Sequence, residues 1–258
     1  MIIGAMNHPE KDVLDEIHWI ADFGLEFIDL TLEPPCGASW LVDTRAIRQA
    51  LDATGLDVVG HTAYYLPIGS PFESLRKAAV AELAACLQAV SEVGAKWMNI
   101  HPDRYAPMHP RSFYIKQDLK SLSELLPLSQ ELGVGLMLEN LPGDFNSADQ
   151  LGELFDPMPT LGLHLDYGHA NLMTETNTAE GLLDRYGSRL KHVHMHDNKG
   201  GSADLHMPLG TGTIDFETQV KALKACGYDG TITLEVFSRD HHYLAYSRDV
   251  LRKLWDES

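Results

Sequence analysis

Short apolar runs alternate with longer stretches whose apolar residues recur every three or four positions. The runs are IIGAM (2–6), FIDLT (27–31), DVVGH (57–61), WMNIH (97–101), GLMLE (135–139), LHLD (163–166), LKHVHMH (190–196) and TITLE (231–235). Runs of this length and character predict strands covered on both faces. The amphipathic stretches Lys11–Phe23, Phe72–Val93, Lys116–Leu132, Phe216–Cys226 and His242–Trp255 predict helices. Gly24, Gly94, Gly133 and Gly227 stand where four of them would stop. Eight strand–helix units predict an α/β chain folded as a single-domain (β/α)8 TIM barrel over 1–258. An open doubly wound sheet is the rival. It usually carries a glycine-rich phosphate loop after its first strand, whereas this first strand leads into MNHPEKD.

The strand ends carry the chemistry. Side chains alternate between the two faces of a strand. Counting back from His101, Glu139, Asp166, His194 and Glu235, the odd steps meet Ile100 and Met98, Leu138 and Leu136, Leu165 and Leu163, Val193, and Leu234 and Ile232. The large aliphatics thus share the parity that packs against outer helices. The terminal histidine or carboxylate shares the parity that faces the barrel axis. His61 ends a sixth run in the same way. Barrel enzymes build their sites at this C-terminal end of the strands.

Charge then narrows the partners. There are 20 Lys+Arg against 37 Asp+Glu, a net of −17. The basic residues are scattered, so the field disfavours nucleic acid and favours a small substrate or a cation. Bound metal ions would add positive charge locally, which leaves DNA open. Cys36, Cys86 and Cys226 lie far apart, with no ligand spacing and no disulfide framework, which predicts a reducing, cytoplasmic setting. The first residues have too short an apolar run for a signal peptide, and no run approaches a membrane span. A homo-oligomer stays open.

Beyond the strand ends, His169 follows Asp166 by three residues, and Asp204 and His206 form a D-x-H pair after the seventh run. His61, His101, Glu139, Asp166, His169, His194, Asp204, His206 and Glu235 make nine imidazole and carboxylate groups. Such donors suit zinc, manganese, iron or cobalt, and nine exceed what one ion uses. Each has a plainer reading. A lone histidine at a strand end is commonly a hydrogen-bonded structural group, and Asp166 or Asp204 could cap a helix or make an Asx turn. Glu139 and Glu235 resist that reading, because an unpaired carboxylate ending a buried strand is costly. His164 and His192 share the inward parity one layer deeper and read as interior groups or partners that orient ligands. His196, past the strand end, reads as a loop or supporting group. His8, His18, His241 and His242 read as surface positions, and His109 as a loop residue.

These residues resemble the xylose-isomerase-like TIM barrels, which comprise sugar isomerases and epimerases together with endonuclease-IV-type AP endonucleases (family 2). The motifs are HTAYYLPIGSP from His61, NIHPDR around His101, LEN at Glu139, LDYGHA from Asp166, HMHDNK from His194, DLHMPLGTG from Asp204 and LEVF around Glu235. They cover nearly the whole chain and are specific to the superfamily rather than to one activity. The epimerase branch implies one divalent ion on Glu139, Asp166, His194 and Glu235. The endonuclease branch implies three zinc ions. His61 and His101 would hold the first, with Glu139 bridging to a second completed by Asp166, His194 and Glu235. His169, Asp204 and His206 would hold the third. The chain departs from the ketose 3-epimerases at Phe145 and Gly200, where they carry a glutamate and an arginine. It departs from the endonucleases in having short loops where they grip DNA.

Two activities compete. In an isomerase or epimerase of a sugar, sugar phosphate or related polyol acid, one to three ions (Zn or Mn) would acidify the C–H beside a carbonyl. Glu139 and Glu235 would move the proton through an enediolate. His169 would act at the catalytic centre, Tyr64 would line the pocket, and Arg104, Lys199 and Arg239 would hold a phosphate or carboxylate. In an AP endonuclease, paired ions ~3.5–4 Å apart would cleave a phosphodiester, with Tyr64 probing the lesion. A dehydratase or lyase would use the same enediolate. A purely structural or storage site fits poorly, since structural sites are closed and rarely spread over six strands.

Overall fold

The computed structural model describes residues 1–103 and 108–258. Among the described residues, eight parallel strands alternate with eight α-helices, and the strand order runs from β1 to β8 and closes as a barrel. The strands are β1 (Ile2–Met6), β2 (Phe27–Leu32), β3 (Asp57–Thr62), β4 (Trp97–Ile100), β5 (Gly135–Glu139), β6 (Gly162–Asp166), β7 (Leu190–Met195) and β8 (Thr231–Leu234). The helices are α1 (Val13–Asp22), α2 (Thr44–Thr54), α3 (Glu73–Glu92), α4 (Arg111–Leu132), α5 (Ala148–Phe155), α6 (Ala179–Tyr186), α7 (Phe216–Ala225) and α8 (His242–Glu257). All eight expected runs form strands within one residue of their expected ends. Gly24, Gly94, Gly133 and Gly227 have positive φ, the conformation expected of residues that stop a helix.

Helices α2, α5 and α6 supply the three remaining helices of the eight expected strand–helix units. Asp43 caps α2 by accepting from the Ala46 amide, and Gly55 closes it at φ 75°. Helix α4 starts at Arg111, earlier than expected, because Pro110 is extended and hands the chain into the first turn.

The chain divides into two compact units: residues 1–5, 139–152 and 163–258, and residues 6–138 and 153–162. In the first, β6, β7, β8 and β1 pair in parallel. The register sets His164 opposite His192, Asp166 opposite His194, and His194 opposite Thr233. In the second, β2, β3, β4 and β5 pair in parallel, with Thr31 opposite His61 and Trp97 opposite Gly135. Here Arg76 of α3 is fully buried and donates to Glu73, Ser121 and Glu124, which ties α3 to α4.

Asp118 of α4 is fully buried, and neither of its carboxylate oxygens makes a hydrogen bond among the described residues. Burial, then the neighbouring Asp103 charge, push its pKa well above the ordinary 3.8, and Arg111 offsets this only in part. The folded chain therefore holds the proton more tightly than the unfolded one. The associated stability is complete below pH 3.8 and is lost as pH rises through the folded value. Asparagine keeps the shape without titrating. Asp118→Asn should match the wild type near pH 4 and exceed it by about 1–3 kcal/mol at pH 8, read from urea midpoints. An equal difference at both pH values would contradict this account.

Candidate metal centre

In the unit containing β6–β8, the strand ends deliver the expected side chains. Asp166 closes β6, His194 lies beside it on β7, Glu235 follows β8, and Glu139 ends β5. All four are buried. His194 Nδ1 lies 3.3 Å from Glu235 Oε2 and 3.8 Å from Asp166 Oδ2. One step back, His164 Nδ1 is 3.3 Å from Glu139 Oε2. The ring nitrogens of His192 meet Thr231 Oγ1 at 2.6 Å and Thr233 Oγ1 at 3.0 Å. The parity argument thus separates a layer of strand-end groups from a deeper pair of imidazoles, His192 held by threonine hydroxyls and His164 facing Glu139.

The turn after β6 is fixed by Asn140, which follows Glu139. Its Oδ1 accepts from the Asp166 amide at 2.7 Å and its Nδ2 donates to the Asp166 carbonyl at 2.9 Å. Asp166 Oδ1 then accepts from the His169 amide at 2.7 Å, which starts the short 3₁₀ turn His169–Asn171. His169 Nδ1 lies 2.9 Å from the Asn140 carbonyl. A carbonyl only accepts, so Nδ1 carries the proton. A carboxylate also only accepts, so in the metal-free ring Nε2, 3.2 Å from Asp204 Oδ2, carries a proton as well, and loss of that proton leaves a lone pair on the Asp204 side. His206 repeats the pattern: Nδ1 is 3.1 Å from the Glu235 carbonyl and Nε2 is 3.1 Å from Asp204 Oδ2. A ring whose far nitrogen is held by a carbonyl and whose near nitrogen faces a carboxylate is set up as a metal ligand. His206 adopts φ 45°, a left-handed conformation uncommon for a side-chain-bearing residue.

The loop bearing Asp204 and His206 is closed at its base. Asp197 and Met207 exchange backbone hydrogen bonds of 2.8 Å in both directions. The Asp197 carboxylate also accepts from the amides of Asn198, Gly212 and Ile214. A side chain at Gly212 would strike the Asn198 carbonyl, which is why the PLGTG turn needs glycine there.

In the other unit, His61 and His101 stand with Asn99 between them. The Asn99 amide lies 3.5 Å from His61 Nε2 and 3.2 Å from His101 Nε2, and the two rings are 5.2 Å apart. His61 Nδ1 is 3.5 Å from Asp29 Oδ2. Tyr64 presents its edge towards His101 at 6.5 Å and is 61% exposed. Tyr65 donates to Glu33, and burial, then that carboxylate, push its pKa up to about 12.

The other expected positions are dispersed. Lys199 and Arg239 are exposed, with no hydrogen bond or ion pair to the strand-end groups, and Arg104 lies outside the described residues. His8, His18, His109, His241 and His242 are exposed. Phe145 is buried, and Gly200 sits at φ 71°, where an arginine would be strained.

Sequence reasoning underweighted His196 and passed over Asp29. Strand β7 stops at Met195, yet His196 keeps the inward parity and is fully buried, with Nε2 3.2 Å from Asp166 Oδ1. Asp29 is a fully buried carboxylate inside the wholly buried strand FIDLTL. Its signal was that isolation: a lone charge in a core strand needs a partner.

The electrostatics of the first unit are those of interleaved acids and bases. Burial raises the Asp166 pKa, but the facing His169 and His196 outweigh it and hold it at about 2. Burial also opposes ionisation of Asp204, and His169 and His206 keep its pKa well below the usual carboxylate range. Burial lowers the pKa of His169 and His206, yet the carboxylates around them raise both above 6.5. Asp166 Oδ2, Glu235 Oε2 and both ring nitrogens of His196 remain buried without a hydrogen bond. Leaving such atoms unsatisfied costs about 1–3 kcal/mol each. Asp166, His169 and His196 bring three ligand atoms within 4.8 Å of one another, and so do His196, His206 and Glu235. The donor set fits a divalent cation.

Fold and site together define a barrel with buried carboxylates and imidazoles gathered at the C-terminal ends of its strands. The chain belongs to the xylose isomerase-like TIM barrel family, whose model matches residues 17–254. An uncharacterized protein of Methanocaldococcus jannaschii is 30% identical over 201 residues, 73% of this chain and 67% of that protein. The ketose 3-epimerase of Arthrobacter globiformis is 36% identical over 102 residues, 39% of this chain and about a third (32%) of its own length. The "Probable endonuclease 4" of Mycobacterium leprae is 28% identical over 220 residues, 79% of this chain and 82% of that protein. Among solved structures, a D-tagatose 3-epimerase-like protein superposes with a TM-score of 0.89 at 24% identity, over 100% of this chain and 98% of its own. The IOLI protein with a bound zinc atom gives 0.83 at 15% identity, over 100% and 99%. No helix among the described residues is long and apolar enough to cross a membrane.

Proposed function

We propose that the protein is a divalent-metal-dependent isomerase or epimerase of a sugar, sugar phosphate or related polyol acid. The observation that carries this reading is the gathering of Glu139, Asp166, His194 and Glu235 at the ends of four consecutive strands, β5–β8. These four residues would hold the ion, which when bound polarises a carbonyl and makes the adjacent C–H acidic. Glu139 and Glu235 would take and return the proton. His164 would hold Glu139 in place, and the two carbonyl-anchored imidazoles, His169 and His206, would line the approach. Lys199 and Arg239 would be candidates to hold an acidic substituent, as would Arg104, which lies outside the described residues. The buried Phe145 and the left-handed Gly200 leave no place for the glutamate and arginine of the ketose 3-epimerases. The distal hydroxyls of the substrate would therefore be held by other groups, Tyr64 among them.

A second reading, AP endonuclease chemistry, is favoured by one observation. His169, Asp204 and His206 converge with their tautomers fixed, a set one ion on β5–β8 does not use. In that reading the His61–His101 pair would hold an ion of its own. Purified protein supplied with Zn or Mn should incorporate deuterium from solvent into a member of a ketose and keto-acid panel, and should leave an abasic-site duplex intact. Incision of the duplex without exchange into any panel member would replace the first reading with the second.

A further inference from the structure

We propose that His196 is a metal ligand, with Nε2 entering the coordination of an ion held among Asp166, Asp204 and Glu235. This rests on the metal-centre reading above and adds a nitrogen donor to it. His196 Nε2 lies 3.2 Å from Asp166 Oδ1, 3.7 Å from Asp204 Oδ1 and 3.9 Å from Glu235 Oε2. Two donors each about 2.0–2.2 Å from a tetrahedral ion stand roughly 3.3–3.6 Å apart. The three separations bracket that value, the spacing that His196 Nε2 and each carboxylate would keep around an ion. The ring is fully buried, its Nε2 faces these carboxylates, and neither nitrogen meets a hydroxyl or carbonyl oxygen that would fix it as a structural group. An interior histidine that serves only packing looks different, as His192 does with a hydroxyl at each nitrogen.

The surroundings hold the ring in that position. It stacks on His206 at 4.1 Å and 25°, and meets the edge of His169 at 5.7 Å and 80°. On the remaining side lies Gly168. Its φ of −69° is open to any residue, so the backbone does not require glycine there. The requirement is space, because a Cβ at 168 would collide with three atoms of the His196 imidazole. The glycine of LDYGHA is thus the cradle of the His196 ring. An ion with this extra ligand loses one open position, and open positions are what a reacting water or substrate uses.

The test is Co(II) binding to chelator-stripped full-length protein, followed by visible absorption and the dissociation constant. His196→Ala should bind Co(II) at least about 10-fold more weakly and change the ligand-field band. Gly168→Ala should shift both in the same direction, because it displaces the ring without removing it. The exposed His242→Ala should match the wild type. Binding and spectrum unchanged in His196→Ala, with the wild type binding normally, would overturn the role of His196 and leave the metal centre standing. A wild type that binds no cobalt would overturn the metal centre itself. Should His196→Ala fail to fold, Gly168→Ala and His196→Gln supply the same comparison.

Discussion

Glu235→Gln will lower proton exchange into the substrate by at least about 10³-fold, within the 10²–10⁴ that a positioned acid or base contributes. Glutamine keeps the length and one oxygen donor, so neighbouring groups retain a partner. It cannot accept the proton. The Glu235 carboxylate is where the loss would concentrate, since Oε2 is buried, lacks a hydrogen bond and is faced by His194, His206 and His196. If Glu139 and Glu235 act from opposite sides of the substrate, as in the proposed reaction, an asymmetry follows. Glu235→Gln should lose exchange from one epimer while exchange from the other survives in part, and Glu139→Gln should reverse the preference. Asp166→Asn provides the contrast, since its loss should appear first as lower metal content. Deuterium incorporation measured from each epimer, beside metal analysis, separates these cases. Glu235→Gln retaining more than about a tenth of wild-type exchange from both epimers would remove the carboxylate from the chemistry.

Strand positions and strand-end groups were legible in the sequence because both follow from period two. Asp166 and His194 fall in register on neighbouring strands, and His164 and His192 one step below, as alternate positions must. His196 was harder to read because its strand ends at Met195, and parity has no force beyond a strand unless the backbone stays extended. Here it does, and the Asp197–Met207 bridge immediately afterwards holds it so. Asp29 escaped because it lies inside its run rather than at the end, where Thr31 stands with the same parity but is no metal-ligand type. Helices α5 and α6 are harder to delimit for a different reason: they span 8 residues each, too few turns for a periodic signal to stand out. Tautomers were beyond the sequence altogether. That His169 and His206 offer Nε2 depends on carbonyls 29 residues away in each case.

Stripping the metal will lower the thermal midpoint, by an amount that grows with pH. A ligand at 100 times its dissociation constant stabilises by about 2.7 kcal/mol. In a chain of this size that is about 5–11 °C. The pH dependence follows from the imidazoles. In the metal-free chain His169 and His206 have pKa values raised above the ordinary 6.5 by the surrounding carboxylates. Their contribution is complete below 6.5 and is lost as pH rises through the raised values, so the stripped protein weakens towards alkaline pH. Asp166, at about 2, and Asp204 are depressed. Their contribution is present above 3.8 and is lost only as pH falls through the depressed values, so it stays constant over this range. The loaded protein runs the other way, since a divalent cation among the carboxylates repels the protons of the neighbouring His169 and His206 and binds more tightly as they leave. The two trends open a gap, small at pH 6 and near the full 5–11 °C at pH 8.5. Scanning calorimetry of zinc-loaded and chelator-stripped protein at several pH values reads it directly. A gap that stays constant with pH, or a stripped protein that gains stability from pH 6 to 8.5, would mean that these imidazoles do not face the ion.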